Sequence, residues 1–101
     1  MKKYSGDFAI AVHPGEILQE ILGEQDISQA ALARHLNMDP SKINEICRGR
    51  RGISVEMAVM LGKAFGQSTG VWFNLQKNWE LSQVDESQFD GIEPIRTPAQ
   101  P

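Results

Sequence analysis

Cysteine is nearly missing from this chain. Cys47 stands alone, which rules out an intramolecular disulfide and a cysteine metal cluster and leaves the expectation of an inert, at least half-buried thiol. Histidine is as scarce: His13 and His35 are the only two, with no cysteine or aspartate at a spacing that would build a nucleophile or a titratable pair. His13 could be paired with Glu16 around a metal, but a histidine at a helix start reads more simply as a hydrogen-bonding or packing group. Catalytic residues, metal, cofactor and small-molecule substrate are therefore all expected to be none. No apolar run approaches the roughly 18 residues of a membrane span, and the N-terminus has no apolar stretch of the signal-peptide kind. A cytoplasmic protein with no membrane partner is the expectation.

Positive charge is also in short supply, with 10 Lys and Arg against 13 Asp and Glu, a net charge of −3. Taken as a mean, that argues against nucleic acid, whose phosphates draw lysine and arginine. The distribution argues otherwise. Between Ser28 and Arg51 stand five bases, Arg34, Lys42, Arg48, Arg50 and Arg51, against Asp39 and Glu45, a local charge of +3. Residues 1–27 and 52–101 each carry −3. A basic middle between acidic flanks suits one DNA-facing element, with acidic surface left for a basic partner or for solvent.

What is present is helical periodicity, and 101 residues leave room for one domain. Residues 1–12 hold no sustained period and read as a flexible arm. Pro14 suits the first turn of a helix in which Ile17, Leu18, Ile21 and Leu22 share a face as far as Gly23. Glu16, Glu20 and Glu24 form an acidic stripe on its outer side. Ser28 caps a second helix with Ala31, Leu32 and Leu36 inward, and Asn37 tolerates the left-handed backbone that ends it. Asp39 and Pro40 open a third, with Ile43 and Ile46 or Cys47 inward, closed by Gly49. Ala33 is small enough to let the two short helices cross closely. Ser54 and Gly66 bracket a fourth helix with Ala58, Leu61, Ala64 and Phe65 inward, where Gly62 implies close packing. Ser68 opens a fifth. From Ser87 onward the chain has three prolines, a glycine and no period, so the domain is drawn at 13–86 and a flexible tail at 87–101.

Two short helices joined by a tight turn make a helix-turn-helix, whose second helix enters the major groove. The base-facing candidates are Ser41, Lys42, Asn44, Glu45 and Arg48. Lys42 and Arg48 suit guanine or phosphate, Asn44 suits adenine, and Glu45 can accept from cytosine or exclude a wrong base. Gln29, Arg50 and Arg51 are placed for the DNA backbone. In the fifth helix Val71, Trp72, Leu75 and Trp79 form a face too large for one small core, so they are the candidate homodimer interface, with the fourth helix as its competitor.

The stretches HPGEIL, SQAALARHL, INEICRGRRGIS and FGQSTGVWFNLQKNWEL, spanning His13 to Leu81, resemble the HigA or VapI-type antitoxins of the Xre and lambda-repressor-like class. Val59 with Met60, and the run Asn78-Trp79-Glu80-Leu81, depart from the usual pattern. The resemblance implies an all-α, five-helix lambda-repressor-like bundle and a homodimer on a palindromic operator in its own promoter. It also implies neutralisation of a small RelE-like toxin that cleaves mRNA on the ribosome, a type II toxin-antitoxin pair. The glutamate stripe of the first helix is one candidate surface for the toxin. Two other readings stay open: an orphan transcriptional regulator, and a protein-interaction module that has lost DNA binding.

Overall fold

The computed structural model describes residues 11–96. Among these residues five α-helices carry the fold: α1 (Pro14–Glu24), α2 (Gln29–His35), α3 (Pro40–Cys47), α4 (Val55–Phe65) and α5 (Thr69–Ser82). One turn of 3₁₀ helix, Glu86–Phe89, follows. There is no strand among the described residues, and the architecture is the all-α lambda-repressor-like bundle expected. Among the described residues no helix is long and apolar enough to cross a membrane. The expected N-terminal arm lies, apart from Ala11 and Val12, outside the described residues, as does the tail beyond residue 96.

Each of the first four helices starts where a side chain can accept a hydrogen bond from an otherwise unpaired N–H of the first turn. The Nδ1 of His13 accepts from the N–H of Gly15 at 2.9 Å. Ser28 Oγ accepts from Ala31 N–H at 3.0 Å, Asp39 Oδ1 from Ser41 N–H at 2.9 Å, and Ser54 Oγ from Met57 N–H at 3.1 Å. Ser68 occupies the same place before α5, but its hydroxyl makes no capping bond. Left-handed residues end the helices where expected: Asn37 with φ 57° after α2, Gly49 with φ 75° after α3 and Gly66 with φ 68° after α4.

The core is built from all five helices and the segment between α3 and α4: Leu18 and Leu22, Leu32 and Ala33, Ile43 and Ile46, Ile53, Ala58 and Leu61, and Trp72. Here α4 packs on α5, α2 on α3, and α1 on both α3 and α5. Two glycines permit close backbone approach. A Cβ on Gly15 would overlap the carbonyl oxygen of Ile46, so α1 can lie against the end of α3 only with glycine there. At Gly62 a Cβ would stand 2.8 Å from the carbonyl of Gln67, which is the close packing expected of that position.

Trp72 corrects the reading of α5. Its side chain is fully buried inside the protomer, beside Phe65, and its indole N–H donates to Gln67 Oε1 at 2.8 Å. A residue with no accessible surface cannot supply a dimer face, so Trp72 leaves that set. The helical face is large because the indole fills the space between α5 and α4, not because a second chain must cover it.

Candidate nucleic-acid interface

The short helix α3 is fixed from beneath before it presents anything. Ile43 and Ile46 are fully buried and Cys47 nearly so, which anchors one side of α3 against α1 and α2. Burial pushes the Cys47 thiol above its ordinary pKa, so it stays protonated and unreactive. The opposite side points outward. Ser41, Lys42 and Arg48 are exposed, and Asn44 and Glu45 are half-buried.

Both ends of α3 are set by the chain itself. The N–H of Ser41, and then its hydroxyl, hold the Asp39 carboxyl below its usual pKa and keep it ionised as a cap. At the other end, Gly49 N–H donates to the Ile46 carbonyl at 3.0 Å and Arg50 N–H to the Glu45 carbonyl at 2.9 Å. That closure puts Arg48, Arg50 and Arg51, all exposed, at the helix end where cations meet unpaired carbonyls.

Two side-chain pairs link residues named from the sequence. Asn44 Nδ2 donates to Gln29 Oε1 at 3.1 Å, joining the middle of α3 to the first residue of α2. The bond uses one of the two amide hydrogens of Asn44 and leaves the other, with Oδ1, for the edge of an adenine. It also leaves the Gln29 amide nitrogen free to donate to a phosphate. The second pair joins Arg51 to Glu45, with Nε and one terminal nitrogen 2.9 and 2.8 Å from the same Glu45 oxygen. With both partners almost half exposed, the pair adds little to stability, but it neutralises the one acid on the outward face of α3.

Gln76 carries no charge and no motif signal, and the sequence alone did not single it out. It is 5% exposed on α5, where its Oε1 accepts from the N–H of Ile53 at 2.7 Å and its Nε2 donates to Glu80 at 2.7 Å. Ile53 lies two residues beyond Arg51, so this amide pins the exit of the basic turn to α5. A glutamine at a core-facing helical position is the only signal that could have found it.

His13, at the start of α1, packs near the C-terminal end of α5 against Trp79, one of the candidate dimer residues. The imidazole of His13 stands edge-on to the Trp79 indole, with ring centroids 4.8 Å apart. Burial lowers the His13 pKa, partly offset by Glu16. Trp79 and Leu75 are half-buried and Val71 exposed. Among the described residues no group of three or more His, Cys, Asp or Glu is placed to hold a metal ion.

With this geometry in view, the helix-turn-helix family model matches residues 18–72, more than half of the chain. The chain belongs to that family. The virulence-associated protein I of Dichelobacter nodosus is 40% identical to it over 92 residues, 88% of this chain and 85% of the relative. The Pseudomonas aeruginosa antitoxin HigA, solved with the higBA promoter, is 44% identical with a TM-score of 0.79, covering 84% of this chain and 98% of that one. A HigA-family addiction module antidote protein from Coxiella burnetii is 32% identical with a TM-score of 0.78, covering 83% and 97%. This helix-turn-helix protein is thus of the HigA and VapI type, and its α2 and α3 lie within the matched span.

Proposed function

We propose that this protein is the DNA-binding antitoxin of a type II toxin-antitoxin pair. As a homodimer it represses its own operon and neutralises a RelE-like, mRNA-cleaving toxin. The observation that carries the reading is the outward face of α3. It pairs an adenine-competent Asn44, held by Gln29, with Lys42 and three arginines at the helix end, in a fold that the HigA relative uses with promoter DNA. Ser41, Lys42, Asn44, Glu45 and Arg48 read base edges, while Gln29, Arg50 and Arg51 hold phosphates and set the register. Glu45 and Arg51 act together, because the guanidinium already carries the carboxylate.

In the dimer, two α3 helices enter successive major grooves about 34 Å apart, so the operator is palindromic. Of the α5 residues named from the sequence for the dimer, Val71, Leu75 and Trp79 keep surface to offer a second copy. The acidic stripe of Glu16, Glu20 and Glu24, all exposed, is the surface offered to a basic toxin.

The test is a band-shift titration of the purified protein on the DNA upstream of its own coding sequence. An unrelated duplex serves as competitor at about 0.15 M salt, where distant charges are largely screened. A shift that survives competition is expected. Equal affinity for both duplexes contradicts the DNA-reading role and favours a protein-interaction module. Co-purification with the product of the adjoining small reading frame checks the toxin half of the reading, and its absence favours an orphan regulator.

A further inference from the structure

Glu45 has a cation three residues to either side, Lys42 and Arg48, at the helical spacing that favours ion pairs. It pairs with neither. Among the described residues Lys42 and Arg48 make no ion pair, and Glu45 is held instead by Arg51, from beyond the end of α3.

The backbone is arranged to bring Arg51 back. Gly49, with φ 75°, reverses the chain, and the N–H of Arg50 donates to the carbonyl of Glu45 itself at 2.9 Å. On the other side of Arg51, a Cβ on Gly52 would stand 2.7 Å from the Gln76 amide nitrogen, so glycine there makes room for Ile53 N–H to reach Gln76 Oε1 at 2.7 Å. Arg51 thus leaves the chain between two fixed points, Arg50 tied to α3 and Ile53 tied to α5. Its meeting with Glu45 is not that of two free surface side chains.

The pair is also one-sided. Arg51 Nε and a terminal nitrogen stand 2.9 and 2.8 Å from Oε1 of Glu45, while Oε2 accepts no hydrogen bond among the described residues. A bare carboxylate is a poor reader of DNA, because phosphates repel it from every sequence. Neutralised through one oxygen by the flat fork of a guanidinium, it keeps the other as an acceptor in a set position. In the major groove guanine shows only acceptors, thymine an acceptor and a methyl group, and adenine an acceptor beside its amino group. The cytosine amino group is the match for a lone acceptor.

Resting on the DNA-reading role proposed above, we infer that Arg51 determines sequence specificity. Besides its hold on phosphate, it positions Glu45 through Oε1 so that Oε2 accepts from the amino group of a cytosine in the operator. Arg51 governs a base it does not touch, and its neighbour Arg50, with no carboxylate partner among the described residues, governs none.

The test is a band-shift comparison on the shortest upstream fragment that the wild type shifts, and on copies of that fragment with one base pair replaced at a time. The wild type should prefer cytosine at one position of each half-site by about tenfold. Glu45→Ala should erase that preference and leave those at other positions. Arg51→Ala should weaken binding to the whole set and erase the same preference, whereas Arg50→Ala should weaken the whole set with the preference intact. Arg51→Lys keeps the charge without the flat fork, so it should keep the salt dependence and lose most of the preference. Both side chains are almost half exposed, so these variants fold, which melting curves check. A wild type with no such cytosine preference, or a preference that survives Glu45→Ala or both Arg51 variants, overturns the inference and leaves Arg51 a plain phosphate contact. Equal affinity of the wild type for the fragment and for an unrelated duplex is a different result, and overturns the DNA-reading role itself.

Discussion

The helix α3 and the 3₁₀ turn after α5 start alike and end differently. Each is a short element opened by an aspartate whose carboxylate accepts from a serine N–H two residues on, Asp39 with Ser41 and Asp85 with Ser87. After Asp39 come Ile43 and Ile46, both fully buried, and the turn grows into a helix of eight residues. After Asp85 come Phe89, Ile92 and Ile95, all exposed, and the turn stops at four. Capping chemistry nucleates a turn, and burial of an apolar face decides whether it becomes a fixed element. One side of α3 is thus fixed within the protomer core, whereas the apolar side chains after Asp85 stay exposed.

If that contrast is right, the largest losses come from within the protomer. Trp72→Ala should destabilise by about 3–5 kcal/mol, and the loss should not depend on protein concentration in thermal melts, because the indole fills a protomer core. A concentration-dependent loss would return Trp72 to the dimer interface. Gly15→Ala follows at about 3 kcal/mol, since the new methyl overlaps the Ile46 carbonyl, while Gly23→Ala, with nothing within 4 Å, should be neutral or stabilise by about 0.5–1 kcal/mol. Equal effects at the two glycines would contradict the close approach of α1 to α3. Gln76→Leu leaves the buried N–H of Ile53 without a partner and should cost about 1–3 kcal/mol by chemical denaturation. It should also weaken DNA binding, by loosening the turn that carries Arg50 and Arg51.

The smallest effect expected is a pH dependence from His13. Its folded pKa lies below the unfolded value of about 6.5, so the unfolded chain binds the proton more readily. The stability it contributes is complete above pH 6.5 and is lost as the pH falls through the folded value, where protonation of Nδ1 also removes the acceptor for Gly15. In His13→Asn, which keeps a capping oxygen, that part of the slope should disappear from stability curves between neutral pH and the carboxylate range. An unchanged slope would mean that another group titrates there.

Much of this was legible in the sequence because it is local. Ser28, Asp39 and Ser54 cap their helices, Asn37, Gly49 and Gly66 end them, and the tight site at Gly62 follows from a costly residue retained inside a helix. The outward residues of α3 follow from the same periodicity that places Ile43 and Ile46 inside. What could not be read depends on distant pairs. Gln76 meets Ile53 across 23 positions, Gly15 meets Ile46 across the bundle, and nothing along α5 distinguishes a tryptophan covered by α4 from one awaiting a second chain. The Glu45–Arg51 pair lies between, close in sequence but visible only once Gly49 turns the chain back.

The most direct test of the central claim, that α3 reads bases while the turn after it holds phosphates, is a competition titration of Asn44→Ala and Arg50→Ala on the operator and on an unrelated duplex over a range of salt. Asn44→Ala should weaken the operator alone, by about 1–3 kcal/mol, whereas Arg50→Ala should weaken both duplexes alike and flatten the salt dependence. Equal loss on both duplexes for Asn44→Ala would contradict base reading by α3.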